Sequence, residues 1–114
     1  MLLDRKDFDD CALITVNEAR IDAAVAIQFK DSLRQLAGEE PPRIVLDMSQ
    51  VQFLDSSGLG AVVAAMKQLG AARQLELAGL TPTVSKVFHL TRMNTVFTIH
   101  ATAADATGGL AQAS

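Results

Sequence analysis

A chain of 114 residues is long enough for one domain and leaves little room for a second. Hydrophobic residues make up 49% of it and charged residues 20%, so it can build a core, an aliphatic one given the scarcity of aromatics, with no metal or disulfide to staple it. The net charge is −3 and the ten basic residues are scattered singly apart from Arg5-Lys6, a distribution that argues against nucleic acid as a partner.

In chain order, Met1 to Phe8 reads as a weak first strand. Cys11 to Val16 is compact, apolar and partly β-branched, which favours a second. Cys11 is the only cysteine. Inside an apolar run it is expected to be a small core residue, with no disulfide to form. Asn17-Glu18-Ala19-Arg20 ends that strand. Ile21, Val25, Phe29, Leu33 and Leu36 then follow at helical spacing and predict an amphipathic helix, stopped by Gly38 through Pro42. Ile44 to Met48 is apolar almost throughout, as a strand buried on both faces at the sheet centre would be.

Val51 to Leu54 leads into Asp55-Ser56-Ser57-Gly58. The helical stripe then resumes with Leu59, Val62, Val63, Met66 and Leu69, and Gly70 stops it. Leu75 to Ala78 reads as a further strand. Thr81-Pro82 starts a helix, with Thr81 as N-cap and Pro82 at the first helical position. That helix is expected to turn Val84, Val87, Phe88 and Met93 inward. Val96 to Ile99 is expected to be the last strand, and residues 101–114 a weakly structured tail or final helix. Strands alternating with helices give a mostly parallel sheet, and an initial hairpin makes it mixed. The fold class is therefore α/β, one domain over residues 1–114.

Most chemistry is poorly served by this sequence. His89 is expected on the flank of a helix and His100 at a strand end, and neither has a metal ligand at a common spacing. A hydrolase elbow requires Gly-x-Ser-x-Gly, whereas the chain has Leu54-Asp55-Ser56-Ser57-Gly58. Gly58-Leu59-Gly60 opens like a dinucleotide fingerprint, but Val63 stands where the third glycine is needed. No Gly-Lys-Ser/Thr occurs for a phosphate loop. No enzyme activity and no cofactor are expected. No apolar run reaches the roughly 18–20 residues of a membrane span, and the first residues lack the order of a signal peptide. The expected location is the cytoplasm.

One constellation stands out. Asp55-Ser56-Ser57-Gly58-Leu59-Gly60 joins an apolar strand to an amphipathic helix, at the sheet edge where partners of open α/β sheets are met. The two serines fall at or beside the helix N-cap, near free N–H groups and the positive end of the dipole. Asp, Ser and Gly all favour helix starts, so plain capping would account for the composition. Phosphorylation of Ser56 would account for it too, because a phosphate adds about −1.5 to −2 charges that a dry interface tolerates poorly.

The run Ile44-Val45-Leu46-Asp47 followed by Phe53-Leu54-Asp55-Ser56-Ser57-Gly58-Leu59-Gly60 resembles the signature of the STAS domain family of anti-sigma factor antagonists. Arg20-Ile21-Asp22-Ala23, Gly79-Leu80-Thr81-Pro82-Thr83-Val84 and Leu90-Thr91-Arg92-Met93-Asn94 extend the resemblance over nearly the whole chain. The resemblance implies a mixed sheet of about four to five strands with helices mainly on one face. It also implies partner switching. The unphosphorylated form binds an anti-sigma factor that is itself a serine kinase and so releases the sigma factor. ATP-dependent phosphorylation of Ser56 ends the binding, and a serine phosphatase resets the cycle. By the same resemblance, Asp22, Asp55, Ser56, Ser57, Gly58, Leu59 and Gly60 face the partner, and Ser57 helps cap the helix. The family commonly carries Gly three residues before the acid at Asp22, and this chain has Ala19, which bears on the loop's shape. Two other roles stay open: a soluble accessory subunit of an ABC-type transporter, and a small-ligand sensor that uses the Gly58-Leu59-Gly60 backbone.

Overall fold

The computed structural model describes residues 3–108. Leu3–Asp7 (β1) and Ala12–Val16 (β2) form an antiparallel hairpin. Arg43–Asp47 (β4), Gln74–Ala78 (β6) and Ile99–His100 (β7) add in parallel, giving a five-stranded sheet in the order β1-β2-β4-β6-β7. The strand read as central, β4, is the middle one, and its Ile44, Val45 and Leu46 are fully buried. Arg20–Ile21 (β3) and Phe53–Leu54 (β5) pair with each other instead, as a separate short parallel ribbon.

Three helices cover one face: Ala26–Ala37 (α1), Ser56–Leu69 (α2) and Pro82–Leu90 (α3). Phe29, Leu33, Val62, Ala65, Val84 and Phe88 pack there against Ile14, Ile44, Leu46 and Leu77. Each fully buried Leu, Ile, Val or Phe contributes about 1.5–3 kcal/mol, and these side chains form the main core. The opposite face has a smaller apolar cluster of Cys11, Val45 and Ala78 under the four-residue helix Ala103–Ala106 (α4). Cys11 is fully buried, as its setting in an apolar run implied, and burial pushes its thiol above the ordinary range.

Several element boundaries differ from the sequence reading. Ile21 continues the helical spacing but lies in β3, and the helix starts only after Val25. A two-residue strand is too short to register as alternation, so the stripe ran through it. Met93 is not on α3. Arg92 takes a left-handed conformation (φ 61°), and Met93–Thr95 forms a 3₁₀ turn that still packs Met93 on the core. Phe97 enters the core edge-to-face with Phe88, so the last strand is Ile99–His100 rather than Val96 to Ile99. Thr81 does occupy the N-cap, but its hydroxyl donates to the Val51 carbonyl and ties α3 to the approach of β5 instead of capping. Of the final segment, Ala103–Ala106 is helical, while 109–114 lie outside the described residues, as do residues 1–2.

Candidate functional site at the start of α2

The site is built mainly from backbone. β3 and β5 run parallel with Ile21 beside Leu54, so Asp22 and Asp55 leave the ribbon side by side. Asp55 is the N-cap of α2. Its Oδ1 accepts the Gly58 N–H at 2.8 Å, and its Oδ2 accepts the Ala23 N–H at 3.2 Å. One carboxylate therefore caps α2 and straps down the loop that leads into α1. Capping of this kind is worth about 1 kcal/mol. Asp22 organises the same loop, its Oδ1 accepting the Ala24 N–H at 3.1 Å and its Oδ2 lying 3.4 Å from Arg20 Nε. The Arg20 guanidinium stacks over the Phe53 ring at 4.2 Å.

Gly58 has a steric reason. A Cβ there would lie 2.0 Å from the Ile21 carbonyl oxygen and 3.1 Å from Leu54 Cδ1. No side chain fits, so the first turn of α2 rests directly on the end of the ribbon. Gly60 is different, because a Cβ at that position would meet nothing within 4 Å.

Asp55 does the capping, which corrects the expectation for Ser57. Ser56 and Ser57 are the first two helical residues, both exposed, and neither hydroxyl makes a hydrogen bond among the described residues. Ser56 borders a shallow groove of about 400 Å³ with Leu59 and Val63, facing Thr91 and Met93. Ser57 borders a second groove, between α2 and α1, with Ile27 and Lys30. Leu59 is half-buried, and Gly60 is exposed between the two grooves. Ala19 does not have a positive φ, so the bend before Asp22 forms without the glycine. Its carbonyl accepts the N–H groups of Gln52 and Phe53 at 2.7 and 3.1 Å, which locks the loop to β5.

A family model described as the STAS domain matches residues 4–106. The chain belongs to the STAS domain family. Its sequence is 30% identical over 95 residues to the anti-sigma-B factor antagonist of Listeria monocytogenes, covering 82% of each chain. It is 23% identical over 104 residues to an anti-sigma-F factor antagonist of Mycobacterium tuberculosis, covering 91% of this chain and 84% of that one. Among solved structures it is similar to an anti-sigma factor antagonist from Mycobacterium paratuberculosis, with a TM-score of 0.81, 27% identity, and 92% and 89% of the two chains covered. The STAS fold expected from the motif, a mixed sheet with helices mainly on one face, is the fold observed.

A second polar centre, on the opposite face, was not anticipated as a unit. Glu76 points from β6 into the α4 side, its side chain 9% exposed. Its Oε1 accepts from Arg43 Nε at 2.9 Å, Arg43 Nη2 at 2.8 Å and His100 Nε2 at 2.7 Å. Burial pushes the carboxyl up, but the Arg43 and His100 hydrogen bonds outweigh it and hold Glu76 below the usual carboxylate range. The available signal was one acid inside the apolar run Leu75 to Ala78, which burial obliges to find partners. His100 does lie at a strand end, as read, and His89 is exposed beside Asn94. No group of His, Cys, Asp and Glu suited to a metal occurs among the described residues.

Proposed function

We propose that the protein is an anti-sigma factor antagonist that works by docking and is switched at Ser56. Unphosphorylated, it binds an anti-sigma factor that is also a serine kinase, and the sigma factor is released. The kinase then transfers the γ-phosphoryl group of ATP to the Ser56 oxygen, with loss of the hydroxyl proton and release of ADP. Binding ends, and a serine phosphatase hydrolyses the ester to restore the hydroxyl. The protein acts in the cytoplasm without catalysis or cofactor of its own.

One observation carries this reading: the Ser56 hydroxyl is exposed and makes no hydrogen bond among the described residues, Asp55 being the cap of the helix. The names of the similar proteins point the same way. The energetics suit a switch. The α2 dipole favours a phosphate at its first residue by roughly 0.3–1 kcal/mol, while Asp55 and Asp22 oppose it. These effects largely offset each other, so the fold survives modification. A docked partner must desolvate the dianion, and every 1.4 kcal/mol of that penalty, roughly, is a tenfold loss of affinity. Asp22, Asp55, Ser57, Gly58, Leu59 and Gly60 surround Ser56 and complete the docking face.

The test is phosphopeptide mapping of the protein isolated from its own cells. Phosphate on Ser56 is the expected result. Phosphate confined to another residue, or none under any growth condition, contradicts the switch.

A further inference from the structure

The α4 face of the sheet has a thin cover. β7 pairs with β6 through only Ile99 and His100, and α4 has only four residues. The apolar side chains α4 sets on Cys11, Val45 and Ala78 are two alanines, Ala103 and Ala106. Alanines bury little area, so the hydrophobic hold on α4 is weak, and the larger apolar side chain of this segment, the part-buried Ile99, packs on the main core instead.

Polar bonds take up the load, and they converge on one carboxylate. Glu76 on β6 holds His100 of β7 directly. It also fixes Arg43 of β4, whose Nη2 donates to the Ala106 carbonyl of α4 and whose Nη1 reaches Asp10 in the β1–β2 turn. Thus one acid joins the central strands to both elements of the cover. The charged and titratable groups gathered around it are Arg43, His100, Asp10 and the Cys11 thiol. Cys11 has no exposed surface and belongs to the apolar cluster capped by Ala106, against which Phe8 and Leu13 also pack.

We propose that the Arg43–Glu76–His100 cluster is a clasp, and that residues 99–107 form a cover that opens as a unit. Opening uncovers Cys11 and the apolar strip beside it, while α1, α2, α3 and the Ser56 site stay folded on the other face. Segments with few apolar contacts open well below the free energy of global unfolding, and this one is held by a two-residue strand pairing, Ile99 and the bonds that converge on Glu76.

Cys11 supplies its own reporter. Iodoacetamide alkylation of Cys11 would be followed at fixed pH in rising, sub-denaturing urea. Hydrogen exchange of residues 99–107 and of Arg43–Asp47 would be measured in the same samples. In the wild-type protein, Cys11 alkylation and exchange in 99–107 should share a shallow urea dependence, well under that of global unfolding, because little surface is exposed. Glu76→Gln should raise both rates about tenfold, equivalent to roughly 1.4 kcal/mol, while Arg43–Asp47 remains tied to global unfolding. Wild-type alkylation that follows the global slope would overturn the cover, even where the variant does not fold. A folded Glu76→Gln protein with unchanged rates in 99–107 would overturn the clasp.

Discussion

The two polar centres of this molecule lie on opposite faces of one sheet and are built in opposite ways. At the start of α2, side chains serve the backbone. Asp55 and Asp22 are spent on amide groups, Gly58 lets two backbones touch, and Ser56 is left exposed, its hydroxyl without a hydrogen bond among the described residues. Under α4, side chains serve one another, and the buried Glu76 takes Arg43 and His100 together on its Oε1. A switch needs a group that can change without unfolding its surroundings, and the first centre provides one. The second centre has no such slack: breaking it costs stability.

Substitutions can break that contrast, and the largest effect is expected at Gly58. Gly58→Ala forces a methyl group against the Ile21 carbonyl and should cost on the order of 3 kcal/mol, read from urea melts. Next is Glu76→Ala, which leaves the half-buried Arg43 with only the longer, exposed contact to Asp10 among its carboxylate partners in the described residues. A loss of about 2–3 kcal/mol is expected, at the lower edge for a buried pair because Arg43 retains some water contact. The same group sets a pH dependence. Glu76 is held low in the folded state, so its contribution is complete above the unfolded carboxylate pKa of about 4.3 and is lost as pH falls through the lower folded value. Melts across that acid range should show a steeper loss of stability in the wild type than in Glu76→Gln.

Asp55→Ala comes next, with about 1 kcal/mol for the lost cap and faster exchange at the Ala23 amide it straps. The smallest effect has the opposite sign. Gly60→Ala meets open space within a helix and should stabilise the fold by roughly 0.5–1 kcal/mol. A protein stabilised by this change yet weakened in docking would assign Gly60 to the partner rather than to the fold.

The same contrast explains what could be read from the sequence. The α2 site was legible because its parts are contiguous: an acid, two serines and a glycine between an apolar strand and a helical stripe. What stayed hidden was the division of labour, since any of the three polar residues could cap, and only the geometry of Gly58 N–H on Asp55 Oδ1 decides it. The Glu76 centre was illegible as a unit because its partners are remote, Arg43 being 33 and His100 24 residues away. The alternation of strands and helices along the chain and the buried central strand followed from the apolar patterns, and the hairpin from two adjacent strands. The ribbon β3–β5 did not, because two residues carry no period and Ile21 happens to fall in step with the helix behind it.

The central claim is that phosphate on Ser56 abolishes docking and spares the fold. The direct measurement is calorimetric titration of the anti-sigma factor from the same genome with the protein carrying hydroxyl or phosphoserine at position 56, each checked by its urea melt. Tight binding of the hydroxyl form, at least about tenfold weaker binding of the phosphoserine form, and closely similar melts are the predicted result. Equal affinities for the two forms, or a phosphoserine protein that binds weakly only because it is unfolded, would contradict it.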